Sequence, residues 1–327
     1  MDLFCKILLM DSTSGKEREL AQWLAANLEA DSIESFEVGD GSLNLLLRWG
    51  EKPQLVFCTH LDTVPPYIAP SFEAEIVRGR GACDAKGQIF AMYKACKELE
   101  RKGRKGFALL LLSGEETGSF GAKGFAKTSF EAPYLLIGEP TDNCMVSASK
   151  GTKSFDLTFK GSAFHSGYPE RGRSAVEMFV DFMNSLREAD FPTDPELGQT
   201  SWNVGLLSSD NPQNILSPEL RCRIYFRTTF AADAAVCSFM ETQGSETLEV
   251  VARGGDTPSR YLTLEGFPTK TVAFGSDAPH LSNFAQKMIC GPGSITVAHC
   301  DDECISLTEI DEAVDNYVRI FEKLIEV

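Results

Sequence analysis

Positive charge is scarce in this chain of 327 residues. It has 31 lysine and arginine residues against 47 aspartate and glutamate residues, which gives a net charge of −16 at pH 7. A protein this acidic repels nucleic acid and anionic membrane surfaces, so we expect neither as a partner. The sequence also has no apolar run that approaches the ~20 residues of a membrane-spanning helix. These absences argue against a nucleic-acid-binding protein and an integral membrane protein.

Signals of secretion are missing as well. The first ten residues lack the basic start and the small-residue cleavage site of a signal peptide. The ten cysteines form no Cys-x-x-Cys pair and follow no regular spacing, and several of them, such as Cys58 and Cys96, lie in apolar runs. We therefore expect unpaired thiols in reducing surroundings and a cytoplasmic location.

The hydrophobic pattern of the first 150 residues is typical of an α/β fold. Three short runs, 55–58, 108–112 and 134–137, are continuously apolar, as in parallel strands that are buried on both faces. A helical spacing of apolar residues lies between the first two runs. Strands that alternate with helices in this way predict a largely parallel sheet with helices packed against it.

A different pattern occupies residues 151–254. Phe155, Leu157 and Phe159 alternate with polar residues, which indicates a strand with one solvated face. A helix at about 173–188, strands near 202–207 and 221–228, a helix near 232–242 and a strand at 247–251 complete a ferredoxin-like β-α-β-β-α-β module. The first pattern then returns, so we predict an α/β domain of residues 1–150 and 255–327 that is interrupted by an α+β domain of residues 151–254.

Two groups of polar residues follow the predicted strands of the first domain. His60 comes just after an apolar strand, and Asp62 stands where it can accept the second ring N–H of that histidine. Asp84 lies in a glycine-rich segment, 79–87, that lacks the spacing of a phosphate-binding loop. Each feature alone is also typical of a structural role, as a loop histidine or a helix N-cap.

Further carboxylates follow the next two strands, and a last histidine lies beyond the next glycine-rich segment. Glu115 and Glu116 are adjacent after one strand, Glu139 follows another, and His299 comes after residues 291–293. A solvated acidic turn would explain the glutamate pair by itself, but it does not explain the whole set. Two histidines and three carboxylates suit two divalent cations with one shared carboxylate, namely His60, Asp84, Glu116, Glu139 and His299. Glu115 is then left over as a general base.

Seven segments in one order along the chain resemble a known enzyme family. They are THLDTVP (59–65), GRGACDAKG (79–87), SGEETGSFGAKGF (113–125), GEPT (138–141), GSAFHSGYPERGRSA (161–175), the strand from Asn214 to Arg227, and GPGSITVAHCDDE (291–303). Together they resemble the acetylornithine deacetylase and succinyl-diaminopimelate desuccinylase family, within the wider group of co-catalytic zinc aminoacylases and carboxypeptidases. The resemblance implies a zinc-peptidase-like α/β/α catalytic domain with an inserted lid and dimerisation domain.

The resemblance also implies a role for each matching residue. It places one zinc ion on His60 and Glu139 and a second on Glu116 and His299, with Asp84 as the bridge and cobalt able to replace zinc. Asp62 would orient His60, and Glu115 would act as general base and then as general acid. In the inserted domain, His165 would stabilise the oxyanion, typically in the partner subunit of a homodimer, and Asn214 and Arg227 would bind the substrate. His280 has no counterpart in these motifs, and Asp277 falls in a region near the metals of relatives.

The expected activity is hydrolysis of a small N-acyl amino acid, with N-acetylornithine in arginine biosynthesis as the first choice. Other members of the same group act as succinyl-diaminopimelate desuccinylases, acyl-lysine deacylases or dipeptidases, and these remain alternatives. A non-catalytic relative that binds zinc and a metabolite is an alternative of a different class. Loss of the extra carboxylate would mark such a protein, and Glu115 is present.

Overall fold

The computed structural model of the protein describes residues 2–325. The chain begins with α1 (Asp2–Leu9), α2 (Glu17–Asn27), β1 (Ser32–Glu37), β2 (Leu43–Trp49), β3 (Leu55–His60), β4 (Ser71–Glu73), β5 (Ile76–Arg78), α3 (Lys86–Arg101), β6 (Phe107–Leu112), α4 (Phe120–Phe125), β7 (Ala132–Ile137) and β8 (Met145–Ser149). It continues with β9 (Gly151–Lys160), α5 (Ala175–Glu188), β10 (Ser201–Ser208), β11 (Glu219–Thr228), α6 (Asp233–Gln243), β12 (Leu248–Gly254) and β13 (Ser259–Arg260). It ends with β14 (Thr269–Val272), β15 (Phe284–Ile289), β16 (Cys304–Ser306) and α7 (Leu307–Ile325).

These elements form two compact units. The first unit comprises the chain up to Ser147, the segment Tyr261–Lys270 and the chain from Ser276 onward. The second unit comprises Ala148–Arg260 and Thr271–Gly275. The second unit therefore begins close to the predicted start at residue 151, but it extends beyond the predicted end at residue 254 and takes in residues 271–275 as well.

A six-stranded sheet organises the first unit. Its strand order is β1-β2-β6-β3-β7-β15. Strands β6, β3, β7 and β15 run parallel to one another, while β2 is antiparallel to both of its neighbours, β6 and β1. Strands β3 and β6 are buried along their whole length and read as apolar runs because both of their faces are covered. Their carboxyl ends meet at one edge of the sheet, and this edge collects the polar residues that follow each strand.

One face of this sheet is packed against helices. Alternate side chains of β2 and β6 join α1, α2, α3 and α7 in a single buried cluster. In α7 the buried residues Ile310, Val314, Tyr317 and Phe321 recur at helical spacing, so the helix presents one apolar stripe to the sheet. The Tyr317 hydroxyl donates a hydrogen bond to the main-chain oxygen of Cys290, 3.0 Å away, just beyond the end of β15.

The second unit contains a four-stranded antiparallel sheet. Its order is β10-β11-β9-β12, and α5 and α6 pack on one face of it around Phe155, Leu157 and Ile224. The element order β9-α5-β10-β11-α6-β12 is the ferredoxin-like arrangement expected from the alternation of apolar and polar residues. The predicted α/β fold with an α+β module is therefore confirmed.

Helix α5 buries only part of one apolar side that its sequence presents. Val176, Phe179, Val180 and Met183 share that side at helical spacing, and Met183 is buried, but Val176 and Val180 are 37% and 43% exposed. The helix instead buries Ala175, Phe182 and Leu186 against the sheet, so it has a second, exposed apolar stripe. Spacing alone could not separate the two stripes because both recur at helical intervals.

Within the described chain, every helix is too short or too polar to cross a lipid bilayer.

Candidate metal centre

Asp84 lies between two histidines at the carboxyl edge of the large sheet. Its Oδ1 is 2.9 Å from Nε2 of His60, and its Oδ2 is 3.3 Å from Nε2 of His299. The side chain is not a helix N-cap, because α3 begins at Lys86 after Ala85 and has no side-chain cap. Since each carboxylate oxygen faces a different imidazole, Asp84 has the arrangement of a shared, bridging ligand.

His60 is the last residue of β3, and its ring is buried. Nδ1 is 2.8 Å from the main-chain oxygen of Asp62 but 3.6 Å from the carboxylate of the same residue. Carbonyl and carboxylate oxygens can only accept, so Nδ1 donates to the main-chain oxygen of Asp62, Nε2 donates to the Asp84 carboxylate, and the ring carries both hydrogens. Burial alone would lower the pKa of His60, but the contacts with Asp62 and Asp84 raise it well above the usual value. Asp62 thus orients His60 through its main-chain oxygen and not, as expected, through its carboxylate.

The Asp62 carboxylate instead holds the loop that follows β6. It accepts the main-chain N–H groups of Glu115 and Glu116, at 3.0 and 3.2 Å, and the hydroxyl of Ser14 at 3.0 Å. Burial would raise the pKa of Asp62, but its contact with His60 and these hydrogen bonds lower it. One buried aspartate therefore fixes both the histidine and the glutamate pair.

Glu116 and His299 form the other side of the cluster. Glu116 Oε1 is 2.9 Å from Nε2 of His299, and the His299 side chain is 48% exposed. The Asp84 and Glu116 carboxylates, which accept from Nε2 of His299, raise the pKa of this histidine to about 10. One ligand atom from each of His60, Asp84 and Glu116 lies within 4.8 Å of the other two, which is close enough for a single cation to contact all three.

Three more carboxylates are desolvated by the protein around this cluster. Burial, and then repulsion from Asp84 and Glu115, raises the pKa of Glu139 well above the usual value. The pKa of Glu115 is also raised well above its usual value, mainly by burial, although part of the side chain stays accessible. Burial also raises the pKa of Asp277 to about 6, and its Oδ1 has no hydrogen-bond partner among the described residues.

This donor set fits divalent cations. It consists of imidazole nitrogens and carboxylate oxygens, which are the common ligands of zinc and similar ions. Carboxylates that are buried close together repel one another, and a cation between them removes that cost. The five residues expected to hold metal are His60, Asp84, Glu116, Glu139 and His299. Four of them contact one another directly, and Glu139 interacts electrostatically with Asp84 and His60.

The remaining predicted site residues belong to the second unit. His165 is exposed and forms an isolated antiparallel bridge with Ile215, and the main-chain N–H of Ser166 donates to the main-chain oxygen of Asn214. His165 and Asn214 thus lie in neighbouring loops. Arg227 lies on β11 with its guanidinium 4.9 Å from the centre of the Tyr225 ring. In the first unit, His280 ends a short 3₁₀ turn that begins one residue after Asp277.

The sequence analysis gave no role to Glu303 and Arg80, which prove to be part of the same edge. Glu303 is buried and accepts a hydrogen bond from the main-chain N–H of Asp84 at 3.0 Å. The signal in the sequence was the acidic run 301–303 after His299, but the run does not indicate which of its three acids points inward.

Comparisons with known proteins identify the family of the chain. The profile of peptidase family M20/M25/M40 matches residues 56–326. The chain belongs to this family. A peptidase M20 domain-containing protein of Schizosaccharomyces pombe is 30% identical over 98% of this chain and 83% of its own length. A probable carboxypeptidase of Aspergillus flavus is 30% identical over 84% of this chain and 73% of its own length.

Solved structures share the fold at lower identity. A tripeptidase from Staphylococcus aureus superposes with a TM-score of 0.81 at 17% identity, over 99% of this chain and 97% of that one. A Bacillus subtilis protein described as a dinuclear metal binding peptidase of the M20 family has a TM-score of 0.67 at 11% identity, and the match covers 99% of this chain and 97% of that one. The family match agrees with the carboxypeptidase group named from the sequence motifs, and the protein is an enzyme of a metallopeptidase family. The use of zinc and the narrower acetylornithine deacetylase and succinyl-diaminopimelate desuccinylase family stay predictions.

Gly114 allows a prediction about how the glutamate pair is presented. It has a φ of +71°, and a Cβ built on it would lie 1.8 Å from the ring of Phe120. Gly118 also has a positive φ, +100°, but a Cβ there would meet nothing within 4 Å. Left-handed backbone costs alanine about 1–2 kcal/mol at either position, and overpacking adds about 1–3 kcal/mol at Gly114 only.

We therefore expect Gly114→Ala to lower Tm clearly more than the matched variant Gly118→Ala in thermal unfolding followed by circular dichroism. Equal losses of Tm for the two variants would show that the close approach of Gly114 to Phe120 is unimportant.

Proposed function

We propose that the protein hydrolyses the amide bond of a small N-acyl amino acid, with N-acetylornithine as the first candidate. The observation that carries this proposal is the placement of Asp84 between His60 and His299, with Glu116 in contact and Glu115 adjacent to it in sequence. Such a cluster provides a shared metal ligand and a separate carboxylate for proton transfer.

Two zinc ions, which cobalt can replace, are the proposed cofactors. His60 and Glu139 would hold one ion, Glu116 and His299 the other, and Asp84 would be shared. The Bacillus subtilis protein described as a dinuclear metal binding peptidase supports the proposal of two metal ions. A pair of such ions supplies Lewis acidity, which polarises an amide carbonyl and makes water more acidic.

Glu115 is the proposed general base. Its main-chain N–H is fixed by the Asp62 carboxylate, so the start of the side chain has a defined position. Burial raises its pKa, and a carboxylate with a raised pKa accepts a proton more readily near neutral pH. Glu115 would take a proton from the attacking water and return it to the amine nitrogen when the C–N bond breaks. The products are a carboxylate and a free amino acid.

His165 is proposed to donate a hydrogen bond to the oxyanion of the tetrahedral intermediate. The main-chain N–H of Gly167 donates to its Nδ1 at 3.1 Å, so the hydrogen of the neutral ring is on Nε2. That nitrogen is then a donor, which is the role an oxyanion requires. Asn214 and Arg227 are proposed to bind the polar groups of the substrate.

A short peptide is the second candidate substrate. The Aspergillus flavus relative is named a probable carboxypeptidase, and the Staphylococcus aureus structure is a tripeptidase. A dipeptide or tripeptide contains the same amide bond next to an amino acid with a free carboxylate. N-succinyl-diaminopimelate and acyl-lysine derivatives are alternatives within the N-acyl class.

We also propose that the protein is a homodimer formed through the β10 edge of the second unit. Leu206 and Leu207 on β10 are 71% and 55% exposed. Helix α5 connects β9 to β10, packs against β9 and β11, and carries the exposed Val176 and Val180. An unpaired edge strand with exposed leucines is suited to pairing with a second copy of the chain.

A substrate panel tests the proposed activity. Purified protein with added zinc or cobalt is assayed against N-acetyl and N-succinyl amino acids, dipeptides and tripeptides, and the released amino acid is measured by mass spectrometry. We expect the highest kcat/KM for N-acetylornithine. Cleavage of peptides alone would favour the second candidate, and no cleavage of any compound by the metal-loaded protein would indicate a non-catalytic binder.

Glu115 and Glu116 separate proton transfer from metal binding. We expect Glu115→Gln to lower kcat about 10²–10⁴-fold while bound zinc, measured by elemental analysis, stays unchanged, because glutamine cannot accept the proton. Glu116→Gln should instead lose zinc, because it removes an anionic ligand. If Glu115→Gln loses zinc while Glu116→Gln retains it, the two roles are reversed; full activity in both variants would refute the assignment.

Light scattering during size-exclusion chromatography tests the dimer. We expect a mass of about twice the 35.9 kDa of the chain, and a monomer for Leu207→Lys, because the new charge would be desolvated in the interface. Val251→Lys is the matched control, since Val251 is 43% exposed on β12 at the opposite edge of the same sheet. A monomeric wild-type protein would refute the dimer and any action of His165 on a partner subunit.

A further inference from the structure

Glu303 is a buried carboxylate on which several hydrogen bonds converge. Its Oε1 accepts the main-chain N–H groups of Gly81, Cys83 and Asp84, each at 3.0 Å. Its Oε2 is 2.6 Å from Nη1 of Arg80, and both side chains are almost fully buried. Every strong contact of this carboxylate is therefore with the segment that carries Asp84.

Arg80 connects the same segment to other parts of the edge. Its Nη1 also donates to the main-chain oxygen of Cys300, and its Nε donates to that of Pro66, both at 3.3 Å. The main-chain N–H of Gly79 donates to the main-chain oxygen of Glu303 at 2.9 Å. Residues 79–84 and 299–303 are thus joined by side-chain and main-chain bonds, and each segment carries one candidate metal ligand.

A buried ion pair is a poor way to gain stability, because both charges lose their hydration and apolar residues of similar size often serve as well. Three main-chain donors on one oxygen do something that apolar packing cannot do, since they fix the direction of each peptide in the turn. One of these donors belongs to Asp84 itself, and Glu303 lies four residues after His299 in the chain. The arrangement therefore determines where the Asp84 carboxylate lies relative to His299.

We propose that Glu303, paired with Arg80, is a positioning residue that holds the loop of Asp84 in register with the loop of His299. This inference rests on the metal site of the proposed function. Glu303 does not itself contact metal or substrate in this scheme. Its loss should weaken metal binding, because the shared ligand would no longer be held between the two histidines.

The test compares zinc affinity in Glu303→Gln with that in Asp302→Asn. Glutamine keeps an oxygen for the three N–H groups but loses the charge that Arg80 requires, whereas Asp302 is an exposed neighbour with the same charge. Zinc Kd is measured by competition with a chromophoric chelator, and folding is checked by circular dichroism and Tm. We expect Kd to rise about 10–100-fold for Glu303→Gln and to stay within twofold for Asp302→Asn. Saturating zinc should restore kcat in Glu303→Gln with KM unchanged.

Arg80→Lys provides a second variant if Glu303→Gln does not fold. It keeps the positive charge but loses the planar fork that reaches Glu303, Cys300 and Pro66, and it should also raise the zinc Kd. The double variant Glu303→Gln, Arg80→Lys should bind zinc no more weakly than the weaker-binding single variant, because both changes break the same ion pair. Wild-type zinc affinity in folded Glu303→Gln or Arg80→Lys overturns the inference alone. A wild-type protein that binds no zinc overturns the proposed metal site and the inference with it.

Discussion

Mutual repulsion among buried carboxylates is the constraint on which the rest of this structure depends. Such carboxylates gather at one edge of the large sheet, namely Asp62, Asp84, Glu139, Asp277 and Glu303, and the partly accessible Glu115 lies beside them. Each must be stabilised by hydrogen bonds, by a neighbouring positive charge or by a raised pKa. Main-chain N–H groups stabilise Asp62, and two imidazoles stabilise Asp84. Glu115 and Glu139 have raised pKa values, so they are the groups that gain most from cations at this edge.

Two carboxylates organise this edge in the same way, by accepting main-chain N–H groups. Asp62 accepts the N–H groups of Glu115 and Glu116, and Glu303 accepts those of three residues in the segment that ends at Asp84. In each case a carboxylate outside the proposed ligand set holds the main chain of one proposed ligand, Glu116 or Asp84, and of its neighbours. Ligands on loops that are fixed in this way lose little conformational freedom when they bind a cation, which favours affinity.

Sequence reasoning located the site because of a simple property of parallel sheets. Strands that run parallel end at the same edge, so polar residues after the apolar runs of β3, β6 and β7 had to come together. It could not show that His60 bonds to the main-chain oxygen of Asp62, because the backbone and the side chain of that residue offer equivalent acceptors. It also could not identify Glu303 as the buried member of three consecutive acids, or the exposed stripe of Val176 and Val180 on α5. These details depend on tertiary packing between segments that are far apart in sequence.

The amide chemistry itself does not select a substrate, because N-acyl amino acids and short peptides contain the same bond. Arg227 is suited to a carboxylate, since a guanidinium offers two parallel donors, but both substrate classes have a free carboxylate. Binding of that group would therefore contribute similar affinity to either class and would not discriminate between them. Discrimination must come from residues that contact the acyl side, where an acetyl group is small and neutral while a peptide carries a charged amine. A site that buries the acyl group without an acidic partner would exclude peptides, because the amine would lose its hydration without compensation.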